Sequence, residues 1–271
     1  MNNKLEKMVA ETLLEAWKKE VIKKNKVATP QQNPKGFVLG GQPGAGKSSL
    51  ILKVKEELDG NVIVINGDDY RKYHPDYAKF QSQDTKDSAP KTQEFAGKMT
   101  EVILQKAIKE KYNIVIEGTF RTAQTPIQTL KQFRENGYQT QVMIQTCNKE
   151  LSWESCLERY NKMLEVNPKE ARYTPKEHHD LVCENLAQNI EKVCQSGFAD
   201  KVGIYKRDKE KTQCIFKDNP LVFKADIVKI ALGDSTQAKL KEATKEIAKN
   251  LKLGDFASKG VERGVDRILN K

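Results

Sequence analysis

The chain has 271 residues, of which 38% are hydrophobic and 31% charged, and its 47 basic against 37 acidic side chains leave a formal net charge of +10. That length fits one large α/β domain or two small ones and buries enough surface for a core. No uninterrupted apolar run approaches the roughly 18 residues needed to cross a membrane, and the five cysteines (Cys147, Cys156, Cys183, Cys194, Cys214) include no C-x-x-C pair, so neither a membrane span nor a metal or disulfide framework is expected.

The first segment, 3–25, places Leu5, Met8, Val9, Leu13, Leu14, Trp17 and Ile22 at helical spacing, which predicts an amphipathic helix. Charges interrupt it every few residues, so it has no signal-peptide core, and a cytoplasmic protein is expected. The proline-containing stretch NKVATPQQNPKG then reads as a linker. From there strands and helices alternate: a short strand at Phe37–Leu39, a helix over 48–58 and an apolar, β-branched run at 61–66. Further strand-like runs fall at 112–118 and 138–146, with helical patterns at about 92–110 and 125–136. Apolar strands without polar alternation suit a parallel sheet covered on both faces, and strand–helix alternation suits a doubly wound α/β fold. Beyond 149 the pattern is helical at about 150–166 and 176–196, and KVGIYKR is expected to pair with TQCIFK as a hairpin. The last 45 residues read as helical, most clearly in QAKLKEATKEIAKNLKL. The expected organisation is one P-loop kinase-like domain over 1–271. It comprises an N-terminal helix and linker (1–30), a core (36–205), and a hairpin with a helical tail (206–271).

Between the first strand and the first core helix, Gly41-Gln42-Pro43-Gly44-Ala45-Gly46-Lys47-Ser48, followed by Ser49, fits G-x-x-x-x-G-K-[ST]. Glycines let the backbone curl so that its N–H groups face phosphate oxygens, and the helix start adds its positive end. Lys47 reaches the β- and γ-phosphates of ATP, and the Ser48 hydroxyl is placed to ligate Mg²⁺. No N-K-x-D motif is present, which argues against a GTPase switch.

The strand at 61–66 runs into Gly67-Asp68-Asp69-Tyr70, and the strand at 112–118 carries Glu117 followed by Gly118-Thr119-Phe120-Arg121. Ligands of an open α/β sheet bind at that carboxyl edge. A kinase with an alcohol acceptor needs a carboxylate there to take the hydroxyl proton. Asp68 and Asp69 are both candidates for that base, and one of the pair alternatively caps the following helix. Thr119 and Arg121 offer a hydroxyl and a cation to a substrate's own phosphates. Arg159 and Arg172 flank the loop LEVNPKEA and read as a lid closing over the γ-phosphate. His74, His178 and His179 read as structural, capping or surface residues. The lysines sit beside glutamates in runs such as WKKEVIKK and KRDKEKTQ, which favours exposed helices and loops over a nucleic-acid stripe.

Taken together, GGQPGAGKSS, NVIVINGDDYRKYHPDY, IVIEGTFRT, TPIQT, ERYNKM and ARYTPKEHHD resemble, in order and spacing, the zeta toxins of toxin–antitoxin operons, the pneumococcal type above all, over roughly 36–205. The resemblance implies ATP-dependent phosphorylation of UDP-N-acetylglucosamine at the 3′-hydroxyl of the sugar, which blocks cell-wall synthesis. It also implies a small antitoxin whose helix covers the ATP site. Carried onto this chain, the P-loop lysine is Lys47 and the catalytic base Asp68. The sugar-nucleotide contacts fall on Glu101, Glu117, Thr119, Arg121 and Thr129, and the phosphate clamp on Arg159 and Arg172. Asp69, Phe120 and Tyr173 depart from the residues usual in that family. The alternatives are a P-loop kinase for another hydroxyl (an antibiotic, nucleoside or dinucleotide) and, more remotely, a nucleotide-dependent nucleic-acid-binding protein.

Overall fold

The computed structural model describes residues 3–86, 88–209 and 211–233. The expected C-terminal helix over QAKLKEATKEIAKNLKL lies outside them. The first helix, α1 (Asn3–Ala16), continues into a wider π-helical stretch over Trp17–Ile22. The expected uniform helix over 3–25 is corrected in its second half. The wider turn brings Trp17, Glu20 and Val21 all to the buried side.

The core elements follow in chain order. They are β1 (Lys35–Gly40), α2 (Ser48–Glu57), β2 (Ile63–Asn66), α3 (Tyr77–Gln83), α4 (Ser88–Lys91), α5 (Gln93–Lys109) and β3 (Ile114–Glu117). After these come α6 (Gln124–Glu135), β4 (Gln139–Thr146), α7 (Lys149–Val166), α8 (Lys176–Gln195), β5 (Lys201–Asp208), β6 (Lys211–Asp218) and α9 (Asp226–Ala231). The sheet order is β2-β3-β1-β4-β5-β6, parallel throughout except for β6, which returns antiparallel on β5. This is a doubly wound, mostly parallel sheet, and the hairpin is the one read from KVGIYKR and TQCIFK.

Strand residues alternate between two apolar layers. Val38, Ile63, Ile65, Ile114, Val142 and Ile144 pack with α5, α6 and α8 residues such as Met99, Leu130 and Leu186. Phe37, Leu39, Val62, Val115 and Met143 pack with Leu50 and Val54 of α2. Full burial of a side chain such as Leu50 contributes about 1.5–3 kcal/mol. Both faces are therefore covered, which is why the strands carry no polar alternation.

Register places the functional edge. Leu39 lies beside Glu117, and Asn66 lies beside Glu117 on the other side of β3. The carboxyl ends of β1, β2 and β3 thus finish side by side, next to the point where the chain departs in both directions from β1. Between β2 and α5 the chain forms a 3₁₀ turn over Gly67–Tyr73 and the short helices α3 and α4. These polar pieces are too short to show a period in the sequence.

Candidate active site

The loop from Gly41 to Ser48 is shaped by contact with backbone behind it. Gly41 (φ +138°) and Gly44 (φ +77°) lie in the glycine region, and a Cβ on either would sit inside Gln145 O or Ser152 O respectively. Gln42 is fully buried and donates through Nε2 to Cys147 O at 2.8 Å. Arg207 of β5 grips the outer side of the loop, with Nη2 donating to Gly44 O (2.8 Å) and Ser155 Oγ (3.0 Å), and Nε to Ala45 O (3.1 Å). Pro43 and Ala45 are buried in the same turn.

Lys47 lies across the mouth of this loop. Its Nζ donates to Gly41 O at 3.0 Å and Gln42 O at 3.3 Å, and stands 3.9 Å from Glu117 Oε1. Burial pushes its pKa down, while the Glu117 charge opposes that shift. Ser48 is exposed at the first residue of α2, whereas Ser49 turns away, donating to Gly46 O at 3.0 Å and lying 3.3 Å from Gln145 Oε1.

Across the sheet edge, Asn66 organises the acceptor side. Its Oδ1 accepts from Asp68 N (3.0 Å) and its Nδ2 donates to Glu117 Oε2 (3.0 Å). Asn66, not an aspartate, is therefore the cap of the turn. Asp68 is held between two guanidiniums: Arg71 Nε lies 2.7 Å from Oδ1 and Arg172 Nη1 lies 3.2 Å from Oδ2. Burial acts to raise its pKa, but Arg71 and Arg172 outweigh it and hold the carboxyl below its usual range. Asp69 instead faces Lys24 at 2.8 Å, and Lys24 also meets the buried Glu20 at 2.6 Å. The two aspartates, equivalent by sequence, point to different parts of the molecule.

Arg172 and Arg159 come from the ends of the same segment. Arg159 on α7 donates to Thr174 Oγ1 at 3.3 Å and acts electrostatically on both Lys47 and Asp68. The segment is drawn against α3 by Gln81, whose Nε2 donates to Lys169 O (2.9 Å) and Ala171 O (3.2 Å). Thr119 is half-buried and Arg121 exposed on the turn after β3, and between them Phe120 is buried with φ +57°. Lys47, Asp68, Glu117, Arg159 and Arg172 are thus brought together by bonds or charge. Glu101 stands apart on α5, bonded to Lys98 and Gln105, and Thr129 is buried in α6, donating to Thr125 O.

Arg71, Asn66, Gln81 and Arg207 were missed as site residues by the sequence reading. Arg71 and Asn66 left local signals, three residues after Asp68 and two before it. His179 corrects the surface or capping reading: it is fully buried, with Nε2 2.8 Å from Ser152 Oγ and Nδ1 3.0 Å from Asp180 Oδ1, and so joins α8 to α7.

A family model described as Zeta toxin matches residues 18–219. Toxin PezT of Streptococcus pneumoniae serotype 4 is 38% identical over 185 residues, or 68% of this chain and 72% of that protein. Toxin zeta of Streptococcus pyogenes is 38% identical over 177 residues, 65% of this chain but only 62% of that protein's length. Among solved structures, the PezAT chromosomal toxin–antitoxin system of Streptococcus pneumoniae superposes with a TM-score of 0.71 at 27% identity, covering 98% of each chain. The AvrRxo1-ORF1:-ORF2 structure with ATP gives a TM-score of 0.57 at 13% identity, covering 97% of this chain and 84% of that one, which speaks to the fold alone. Among the described residues, no helix is long and apolar enough to cross a membrane.

Proposed function

The chain belongs to the zeta toxin family, and from that premise we propose that it is the toxin of a toxin–antitoxin pair that phosphorylates UDP-N-acetylglucosamine at the 3′-hydroxyl of the sugar. The observation that carries the reading is the pairing of two half-sites on one sheet edge. Lys47 stands in its glycine loop 3.9 Å from Glu117, Asn66 ties Glu117 to the turn of Asp68, and Arg172 reaches Asp68 from the lid segment.

The residues fit ATP: a glycine-rich backbone loop at a helix start, a largely buried lysine at its mouth and an exposed Ser48 hydroxyl for Mg²⁺. ATP bound there with Mg²⁺ supplies the phosphoryl group. Lys47 neutralises the β- and γ-phosphates. Asp68 accepts the proton of the acceptor hydroxyl as its oxygen bonds to the γ-phosphorus and the bond to the bridging oxygen breaks. Arg159 and Arg172 offset the charge that builds on the transferred group. Glu117, Thr119 and Arg121 orient the sugar nucleotide from the end of β3, with Glu101 and Thr129 assigned to the same substrate by family resemblance. Because Asp68 is held ionised by its arginines, it is ready as a base at neutral pH, and substrate binding has to draw Arg172 from it toward phosphate.

An antitoxin partner is supported by the toxin–antitoxin system among the structural neighbours, and its form as a small helical protein covering the ATP site is taken from the family resemblance. A net charge of +10 suits an acidic partner and two polyphosphate substrates alike. A cytoplasmic location follows from the same reading, since ATP and nucleotide sugars are its substrates. The test is ADP release by the purified protein with ATP, Mg²⁺ and a panel of UDP-sugars. Stimulation by UDP-N-acetylglucosamine above the other sugars is expected. Absence of that stimulation, with stimulation by an antibiotic, nucleoside or dinucleotide instead, would replace the acceptor.

A further inference from the structure

The turn after β3 is fixed from outside the site by a residue that has no substrate to touch. Asn189 lies on the buried face of α8 among Leu186, Ala187, Ile190 and Val193, and is only 7% exposed. An amide in such a place is costly unless its donors are used. Both are: Nδ2 donates to Phe120 O at 3.0 Å and to Arg121 O at 2.9 Å. Two consecutive carbonyls facing one side chain fix which end of the amide must point at them, since only the nitrogen donates.

Those carbonyls belong to the most constrained turn of the acceptor edge. Phe120 has φ +57°, a left-handed conformation disfavoured for a side chain of its size. Three anchors maintain it. Gly118 N donates to Leu39 O at 2.9 Å. The Phe120 ring is buried directly over Gly40, where a Cβ would collide with it. Asn189 holds the carbonyl side. Thr119 and Arg121 stand on either side of the strained residue, so the directions of both side chains depend on these anchors.

We propose that Asn189 is a positioning residue for the acceptor: by clamping the Phe120 and Arg121 carbonyls, it holds Phe120 left-handed and thereby sets where Thr119 and Arg121 meet the sugar nucleotide. The inference rests on the reading of Thr119 and Arg121 as acceptor contacts. It also gives Phe120 a role in acceptor choice, because its bulk is what the turn is built around. Leu39 and Gly40 adjoin the glycine loop, but Asn189 itself bonds only the Phe120 and Arg121 carbonyls, so its removal is expected to act on the acceptor side.

The experiment compares wild type with Asn189→Leu, which keeps the branched shape and heavy-atom count and removes both donors, and with Asn189→Ser as a milder variant should the bulkier Leu impair folding. Two quantities are read: KM for UDP-N-acetylglucosamine against KM for ATP, and exchange of the Gly118 amide followed by NMR. In Asn189→Leu the acceptor KM is expected to rise about tenfold while the ATP KM stays within about twofold. Gly118 exchange should quicken about tenfold, and Asn189→Ser should fall between. Unchanged acceptor KM with unchanged Gly118 exchange overturns the proposal, as does a parallel rise in both KM values. Should wild type show no turnover of UDP-N-acetylglucosamine, the functional reading fails on its own. The clamp is then judged by Gly118 exchange alone, acceleration supporting it and protection overturning it.

Discussion

At the donor loop backbone meets backbone, and at the acceptor edge charged side chains meet one another. Gly41 and Gly44 lie so close to the carbonyls of Gln145 and Ser152 that no side chain fits, and Lys47 is only 10% exposed. Asp68 is 46% exposed, and its partners Arg71 and Arg172 reach it from the turn beside it and from the lid segment. The donor loop is set by packing before any substrate arrives. The Asp68 side of the acceptor edge is set by ion pairs that a phosphate can exchange, so its geometry is completed on binding. Substitutions should therefore divide into those that remove the cradle and those that alter its coupling to the base.

The largest effect is expected at Lys47. Lys47→Ala should cost about 10³-fold or more in kcat/KM, since its ammonium is the cation bonded across the loop's mouth. Retained turnover would mean that the cradle is not a donor site. Next comes the base. Asp68→Asn should lower kcat by about 10²–10⁴-fold and leave ATP affinity, measured by calorimetry, unchanged. Asp69→Asn should stay within about threefold, because its partner is Lys24. The reverse pattern would transfer the role of base to Asp69.

Arg159→Ala and Arg172→Ala should each reduce kcat by about 10–10²-fold with a smaller rise in KM, if they act mainly in the transition state. An effect on KM alone would make them ground-state contacts. Arg172→Ala carries a second signature. The Arg172 charge helps to depress the Asp68 pKa, so the wild-type rate should hold as pH falls to below about 4, the ordinary carboxylate value. Removing that charge should move the acid limb of the profile to higher pH. Arg207→Ala sharpens the contrast from the donor side, raising the ATP KM by about five- to tenfold while sparing the acceptor KM. Equal changes in both would mean that the loop and the acceptor edge are one mechanical unit.

The smallest effect concerns stability. Glu20, bound by Lys24, Lys72 and Tyr73 and 4% exposed, has its pKa lowered to about 2 because those bonds outweigh the cost of burial. A carboxyl depressed in the folded state contributes stability that is present above its unfolded value of 4.5 and lost as pH falls toward 2. Melting temperatures should therefore drop across that window in wild type and much less in Glu20→Gln.

The two regions also differ in how much of them could be read in advance. The strands and the glycine loop are local patterns, and the structure has them within a few residues of the expected places, in the mostly parallel sheet that apolar strands alternating with helices imply. Asp68 and Glu117 were legible because strand ends at a carboxyl edge are legible. Much of what holds the residues around them was not. Arg207 reaches Gly44 over 163 positions, Lys24 reaches Asp69 over 45 and Asn189 reaches Phe120 over 69. A composition or a period carries no trace of such pairs. The 3₁₀ turn and two short helices after Asp68 escaped for a different reason, since segments of this length never complete enough turns to show a face.

The central claim is that the phosphoryl group held at Lys47 passes to the hydroxyl that Asp68 deprotonates. NMR of UDP-N-acetylglucosamine after incubation with the protein, ATP and Mg²⁺ tests this directly, with Asp68→Asn run in parallel. One new phosphomonoester on the 3′-oxygen of the amino sugar is expected with wild type and none with Asp68→Asn. An unmodified sugar nucleotide while ATP is consumed, or the same product from Asp68→Asn at an undiminished rate, would contradict it.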